Sequence, residues 1–196
     1  MTKTRGRPKA FDENVVLSLA MEYFWEHGYE SSSLDNLLLA MGIKKSSFYH
    51  TFKSKEELFS RCLTLYRNQN IQFLKSLKDE IGPLQAMLML TKLTVDQLNE
   101  TGEVKGCLIA NSGKECYNKY RDLSTQVHAE FNTLNDLFID FVKEAQSRGE
   151  IKSSRDAKVI AGRYVNALNG LIVTIQAGAS KELVEDLVEH LKEILQ

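Results

Sequence analysis

Proline is nearly missing from this 196-residue chain: only Pro8 and Pro83 occur. Long stretches therefore carry no residue that would break a helix. Alternating runs of valine and isoleucine are also absent, so the period-2 signal of half-buried strands is not found. Cysteine is sparse as well, with Cys62, Cys107 and Cys116 alone. Three thiols at these spacings make neither a disulfide framework nor a zinc ligand set. No apolar run approaches the roughly 20 residues that cross a bilayer. The N-terminus lacks the apolar core of a secretory signal, so a reducing cytoplasm and no membrane partner are expected. Charge of one sign is missing too: 25 Lys and Arg face 26 Asp and Glu, for a net charge of −1. Patterns of catalysis are lacking. There is no nucleophile elbow, no phosphate-binding glycine loop and no pair of zinc histidines. His27, His50, His128 and His190 stand apart from other ligand-type residues, except for the weak neighbours His128–Glu130 and Glu189–His190. No enzyme, cofactor or metal site is expected.

What is present is strong helix former, at helical spacing. With 43% hydrophobic residues, the composition predicts an all-α protein of about nine helices. The predicted organisation is a basic arm over 1–10, a helix-turn-helix domain over 11–56 and a larger helical domain over 57–196. The arm holds Lys3, Arg5, Arg7 and Lys9 without an acid. Such a local patch binds phosphate even when the whole chain is neutral, although a frayed tail has the same composition. Arg5-Gly-Arg7-Pro8 resembles an arm laid along a narrow minor groove, where arginine is favoured.

Asp12 suits an N-cap for a first helix whose Val16, Leu19, Ala20, Tyr23 and Phe24 form one apolar face, closed by Gly28. Ser33 caps a second helix with Leu34, Leu37, Leu38 and Met41 inward, and Gly42 supplies the turn. A short third helix, about 44–52, buries Phe48 and Phe52. It leaves Lys44, Lys45, Ser46, Ser47, Tyr49 and His50 outward or sideways. Lysine suits guanine O6 and N7, and a serine hydroxyl serves several bases. Ser33 is a phosphate candidate, and His50 fits phosphate, base or plain surface. Ser54 and Glu57 form a capping box for a long fourth helix.

Pro83 opens a fifth helix, proline being suited to the first helical position. A sixth segment from Gly106 is expected to be interrupted at Gly113. A seventh helix runs through Val127, Phe131 and Phe138 to near Gly149. The eighth, about 160–175, is apolar nearly all round, and a ninth carries Leu183, Leu187 and Leu191. A helix apolar on every side must be covered on more than one. Tyr164, Leu168, Leu171, Ile175, Leu183, Leu187 and Leu191 are therefore candidates for contact with a second subunit, the alternative being burial within one. Asn111, Ser112, Tyr117, His128 and Asn166 are candidate polar groups of a mostly apolar effector pocket. Each also fits an ordinary satisfied helix residue. Cys107, near a predicted helix start with Lys105 beside it, is expected to have its thiol pKa lowered by backbone amides. The alternative is a plain buried thiol.

The head resembles the TetR family of bacterial one-component transcription repressors. The residues that carry the likeness are Phe11-Asp12, Ala20, Phe24, His27-Gly28-Tyr29, the run at 31–34, Gly42-Ile43-Lys-Lys-Ser-Ser-Phe48-Tyr49, Phe52 and Ser54-Lys55-Glu56-Glu57-Leu58-Phe59. The resemblance implies a nine-helix subunit, a homodimer and an inverted-repeat operator in double-stranded DNA. It also implies release when a small molecule enters the C-terminal domain. By the same likeness Tyr49 and Lys55 are phosphate contacts. Lys105-Gly-Cys-Leu-Ile-Ala-Asn111 looks like a Gly-Cys-Leu segment of a subgroup in which some members sense electrophiles or oxidants through this cysteine. Activation in place of repression depends on operator position. A helical interaction module without DNA binding is the other reading, and the basic arm and Lys44-Lys45 argue against it.

Overall fold

The computed structural model describes residues 11–196, so Arg5 and Arg7 of the basic arm lie outside the described residues. These fold into α1 Glu13–His27, α2 Leu34–Met41, α3 Lys45–Phe52, α4 Lys55–Ile81, α5 Pro83–Thr101, α6 Leu108–Cys116, α7 Arg121–Ser147, α8 Ala157–Gln176 and α9 Lys181–Ile194. No strand occurs among the described residues. The chain divides into two compact units, one ending at Leu65 and the other beginning at Tyr66.

In the first unit α1, α2 and α4 start on side-chain caps, while α3, after Lys44, has none. The Asn14 amide donates to Asp12 Oδ1 at 2.9 Å, the Asn36 amide to Ser33 Oγ at 3.2 Å and the Glu57 amide to Ser54 Oγ at 3.0 Å. These bonds satisfy amides that a helix leaves orphaned. Phe24, Leu37, Phe48, Phe52, Leu58, Phe59, Cys62 and Leu63 are all fully buried. The first turns of α4 thus belong to this core, which is why the unit extends beyond 56. The Arg61 guanidinium pairs with Glu13 and lies 4.9 Å from the centroid of the Phe52 ring. On α1 the buried stripe is Val16, Leu17, Ala20, Met21 and Phe24, while Leu19 is 44% exposed. The expected face was turned by one residue, because both 16, 20, 24 and 17, 21 satisfy helical spacing.

The second unit packs α5 through α9, with part of α4, around Met87, Phe138, Phe141, Tyr164 and Leu171. The buried Tyr164 hydroxyl donates to Met87 O at 2.6 Å and lies 3.1 Å from Thr91 Oγ1. Burial pushes the Tyr164 phenol up from its ordinary value. Lys78 Nζ donates to Glu144 at 2.9 Å, raising the lysine and lowering the carboxylate. Two expectations are corrected here. Gly113 does not interrupt α6: one glycine costs a helix only about 1 kcal/mol, and α6 packs against α7 along its length. Tyr164, Leu168, Leu171, Ile175 and Leu191 are covered by their own subunit's core, each no more than 8% exposed. The apolar girth of α8 is consumed by α5, α7 and α9 more than was expected. What remains outward is a stripe of Val159, Asn166, Gly170 and Val173 on α8, with Gly162 half-buried within it, and Leu183 on α9, whose Leu187 and Ile194 are half-buried against the core.

Candidate DNA interface and effector groove

The turn between α2 and α3 begins at Gly42, which has φ 65° and ψ 28°. This left-handed geometry suits glycine. Its amide and that of Ile43 donate to Leu39 O and Leu38 O, both at 3.2 Å, closing α2. Phe48 and Phe52 then anchor α3, their ring centroids 5.9 Å apart. Once those two are buried, helical geometry leaves Lys44, Lys45, Ser46, Tyr49 and His50 exposed and Ser47 half-buried. Tyr49 stands edge-on to Phe48 with centroids 5.3 Å apart. Its ring is held by the core while the hydroxyl end projects. This is a rigid, cationic and hydroxyl-bearing helix with free-standing ends, the form that enters a major groove.

The chain leaves α3 through Lys53, an exposed non-glycine residue at φ 62° and ψ −48°. The Ser54 amide donates across it to Phe52 O at 2.6 Å. That is a tight three-residue turn of the rarer, strained hand. Lys53 was missed by pattern reading, because nothing in its local sequence demands positive φ. Lys55, expected at phosphate, instead donates to Tyr29 O at 2.7 Å and Ser32 O at 2.9 Å. Ser33 is exposed at the start of α2, as expected.

In the second unit a groove of about 630 Å³ opens between α6, α7 and α8. Ile109, Val127, Phe131 and Val165 form its apolar wall. Tyr117, His128 and Asn166, expected as effector contacts, meet there, joined by Ser124, Asn135 and Asn169. These three were missed, yet Ser124 lies one turn before His128, Asn135 two turns after it, and Asn169 one turn after Asn166. Helical spacing was the available signal. Asn111 and Ser112 are elsewhere: Asn111 Nδ2 donates to Lys105 O at 3.0 Å, and the buried Ser112 hydroxyl to Leu108 O at 2.6 Å. No cluster of three or more metal-ligating side chains exists among the described residues.

Cys107 is the N-cap of α6 and half-buried, outside the groove lining. Gly106 before it has φ 74°, and a Cβ there would meet Ile172 Cγ2 at 2.9 Å. The glycine brings the α6 start close to α8. Burial raises the Cys107 thiol pKa; the amides at Ala110 and Ile109 and the Tyr66 hydroxyl lower it, but by less. The expected depression is therefore reversed in sign, since desolvation of a thiolate outweighs the helix-end amides.

Together the two units define a helix-turn-helix transcription regulator: a DNA-reading head and a helical body with a groove. The family model of bacterial regulatory proteins of the tetR type matches residues 16–62, and that of the tetracyclin repressor-like C-terminal domain matches residues 83–191. The chain belongs to the TetR family. An uncharacterised HTH-type transcriptional regulator of Bacillus subtilis, YezE, is 30% identical over 82% of this chain and 84% of its own. The HTH-type transcriptional repressor ComR of Escherichia coli is 28% identical over 92% and 87%. Among solved structures, a cysteine-substituted form of the TetR family regulator CifR, complexed with 26-bp double-strand operator DNA, superposes with a TM-score of 0.80 at 28% identity, covering 95% of this chain and 98% of that one. The reduced form of Escherichia coli NemR shares the fold, with a TM-score of 0.82 at 20% identity over 93% and 96% of the two chains.

Proposed function

We propose that the protein is a homodimeric, cytoplasmic repressor, without catalytic activity, that leaves an inverted-repeat operator when a small molecule occupies the α6–α7–α8 groove. The observation that carries the DNA half is α3 itself: two phenylalanines bury one side, and Lys44, Lys45, Ser46, Tyr49 and His50 occupy the other. Lys44, Lys45, Ser46 and Ser47 read base edges, while Ser33 and Tyr49 hold phosphates. Arg5 and Arg7 follow the minor groove. One short helix reads few base pairs, so two copies about one DNA turn apart (~34 Å) are needed for specificity. The exposed Leu183 supports pairing through α9, beside the small-residue stripe of α8.

The groove walls are apolar, with two hydroxyls, three carboxamides and one imidazole. That favours a largely apolar effector with a few hydrogen-bonding groups. Cys107 offers a second route. Its sulfur lies against the Tyr66 hydroxyl, and Tyr66 belongs to α4, the helix both units share. Modification of the thiol would displace α4 directly. The raised thiol pKa makes this the slower route.

The test is selection of bound duplexes from a random pool, followed by a screen for compounds that release them. The expected result is enrichment of an inverted repeat, lost in Lys45→Ala. Indifference to every duplex at low ionic strength would overturn the proposal.

A further inference from the structure

We propose that Lys55 is a positioning residue of the DNA interface: an inward-facing cation that fixes the turn entering α2 and neutralises no phosphate of its own. The inference rests on the DNA-binding reading of the head. Tyr29 to Ser32 connect the end of α1 to the Ser33 cap of α2, and their carbonyls fall outside both helices. A turn with unsatisfied carbonyls beside a core is costly unless something donates to them. Here side chains do so. The fully buried Ser32 donates its hydroxyl to Gly28 O at 2.5 Å. Lys55 Nζ donates to Tyr29 O at 2.7 Å and to Ser32 O at 2.9 Å. The same nitrogen stands 4.3 Å over the Tyr29 ring centroid, a cation–π contact. That ring is 6% exposed and packs on Phe59, with centroids 4.8 Å apart.

Two carbonyls and an aromatic face thus converge on one ammonium. Its charge is directed into the head, immediately behind the residue that caps α2. Ser32 O belongs to the peptide unit that leads into Ser33, so the ammonium sets the direction in which Ser33 and the first turn of α2 present themselves. A lysine serving a phosphate would extend away from these acceptors into solvent. Lys55 instead joins the start of α4 to the start of α2 across 23 residues of sequence.

The two roles differ in salt dependence. Each phosphate neutralised adds about 0.9 to the log–log slope of affinity against salt. Lys55→Met keeps the stem and removes the charge. Its affinity for the selected operator is measured by fluorescence anisotropy across a salt series, at a temperature where circular dichroism shows the variant folded. The expected result is a loss of about tenfold or more in affinity, with the slope lowered by less than half a unit per subunit. Arg5→Ala, in the basic arm read as a phosphate-binding patch, is the comparison, and its slope falls by about 0.9 per subunit. A fall near that size in Lys55→Met, or wild-type affinity, overturns the proposal. Should Lys55→Met not fold, Lys55→Gln, which retains one donor and no charge, is measured identically. Amide hydrogen exchange supplies a DNA-free arm. Protection is expected to drop from Tyr29 to Leu37 while the amides of Phe59 to Leu63 keep theirs. Uniform loss of protection would mean general destabilisation and overturn the positioning role. A wild-type protein that bound no duplex would sink the DNA reading alone, and the exchange experiment would still decide the turn.

Discussion

At Cys107 two influences oppose each other on one sulfur. The α6 amides and the Tyr66 hydroxyl favour the thiolate, and burial disfavours it more strongly. A free thiol titrates near 8.5, so the thiolate fraction here stays small at neutral pH. Iodoacetamide labelling of Cys107, followed by peptide mass spectrometry, is expected to be slow at pH 7 and still rising with pH above that ordinary value. Tyr66→Phe removes a group that lowers the thiol pKa and should slow labelling further at fixed pH. A labelling rate that levels off below pH 8 would contradict the burial argument. Cys62 is fully buried and its thiol also raised, so it should label only on unfolding. The sequence signalled the helix start at Cys107 but not the depth of its cover. Part of that cover is Tyr66 of α4, distant in the chain.

At the scale of the element, the caps were legible and the turn chemistry partly so. Asp12, Ser33, Ser54 and Pro83 begin their helices because a side-chain oxygen, or a missing N–H, matches what a helix start leaves unpaired. Gly42 was legible for a similar reason: positive φ is cheap only without a Cβ. A Cβ at Gly42 would meet nothing within 4 Å, so its substitution costs backbone strain alone. Gly42→Ala is expected to destabilise the head by about 1 kcal/mol, and Gly42→Asn by less, since asparagine tolerates this conformation. Thermal unfolding would check the order of the two. Equal losses would indicate a packing cost that the geometry does not contain. Lys53 adopts positive φ without such a residue type, and no local rule identifies it. It sits in the two-residue link between α3 and α4, next to the buried Phe52.

The whole molecule depends on which apolar side chains remain outside once each subunit has closed. Leu187 and Leu191 both read as partner contacts by spacing, but Leu191 is 1% exposed and Leu183 44%. A charge at Leu191 would unfold the body and one at the half-buried Leu187 would disturb its core, whereas a charge at Leu183 falls on the outward face of α9. Leu183→Glu is expected to give a folded monomer by sedimentation, with operator affinity lost because half-sites are no longer linked. An intact dimer would move the interface elsewhere. The groove belongs to this scale too: Tyr117 at the end of α6, His128 on α7 and Asn166 on α8 converge only when those helices pack.

The chain by itself determined the helices, their caps, the Gly42 turn and the polar side of α3, because each follows from interactions within a few residues. It also determined the family, through a head whose motif is local. Tertiary structure alone decided which side of α8 and α9 stays open, where the groove lies, the sign of the Cys107 shift and the inward direction of Lys55. Those depend on burial and on partners many residues away. Spacing fixes which side chains share a face, and only packing fixes what that face meets.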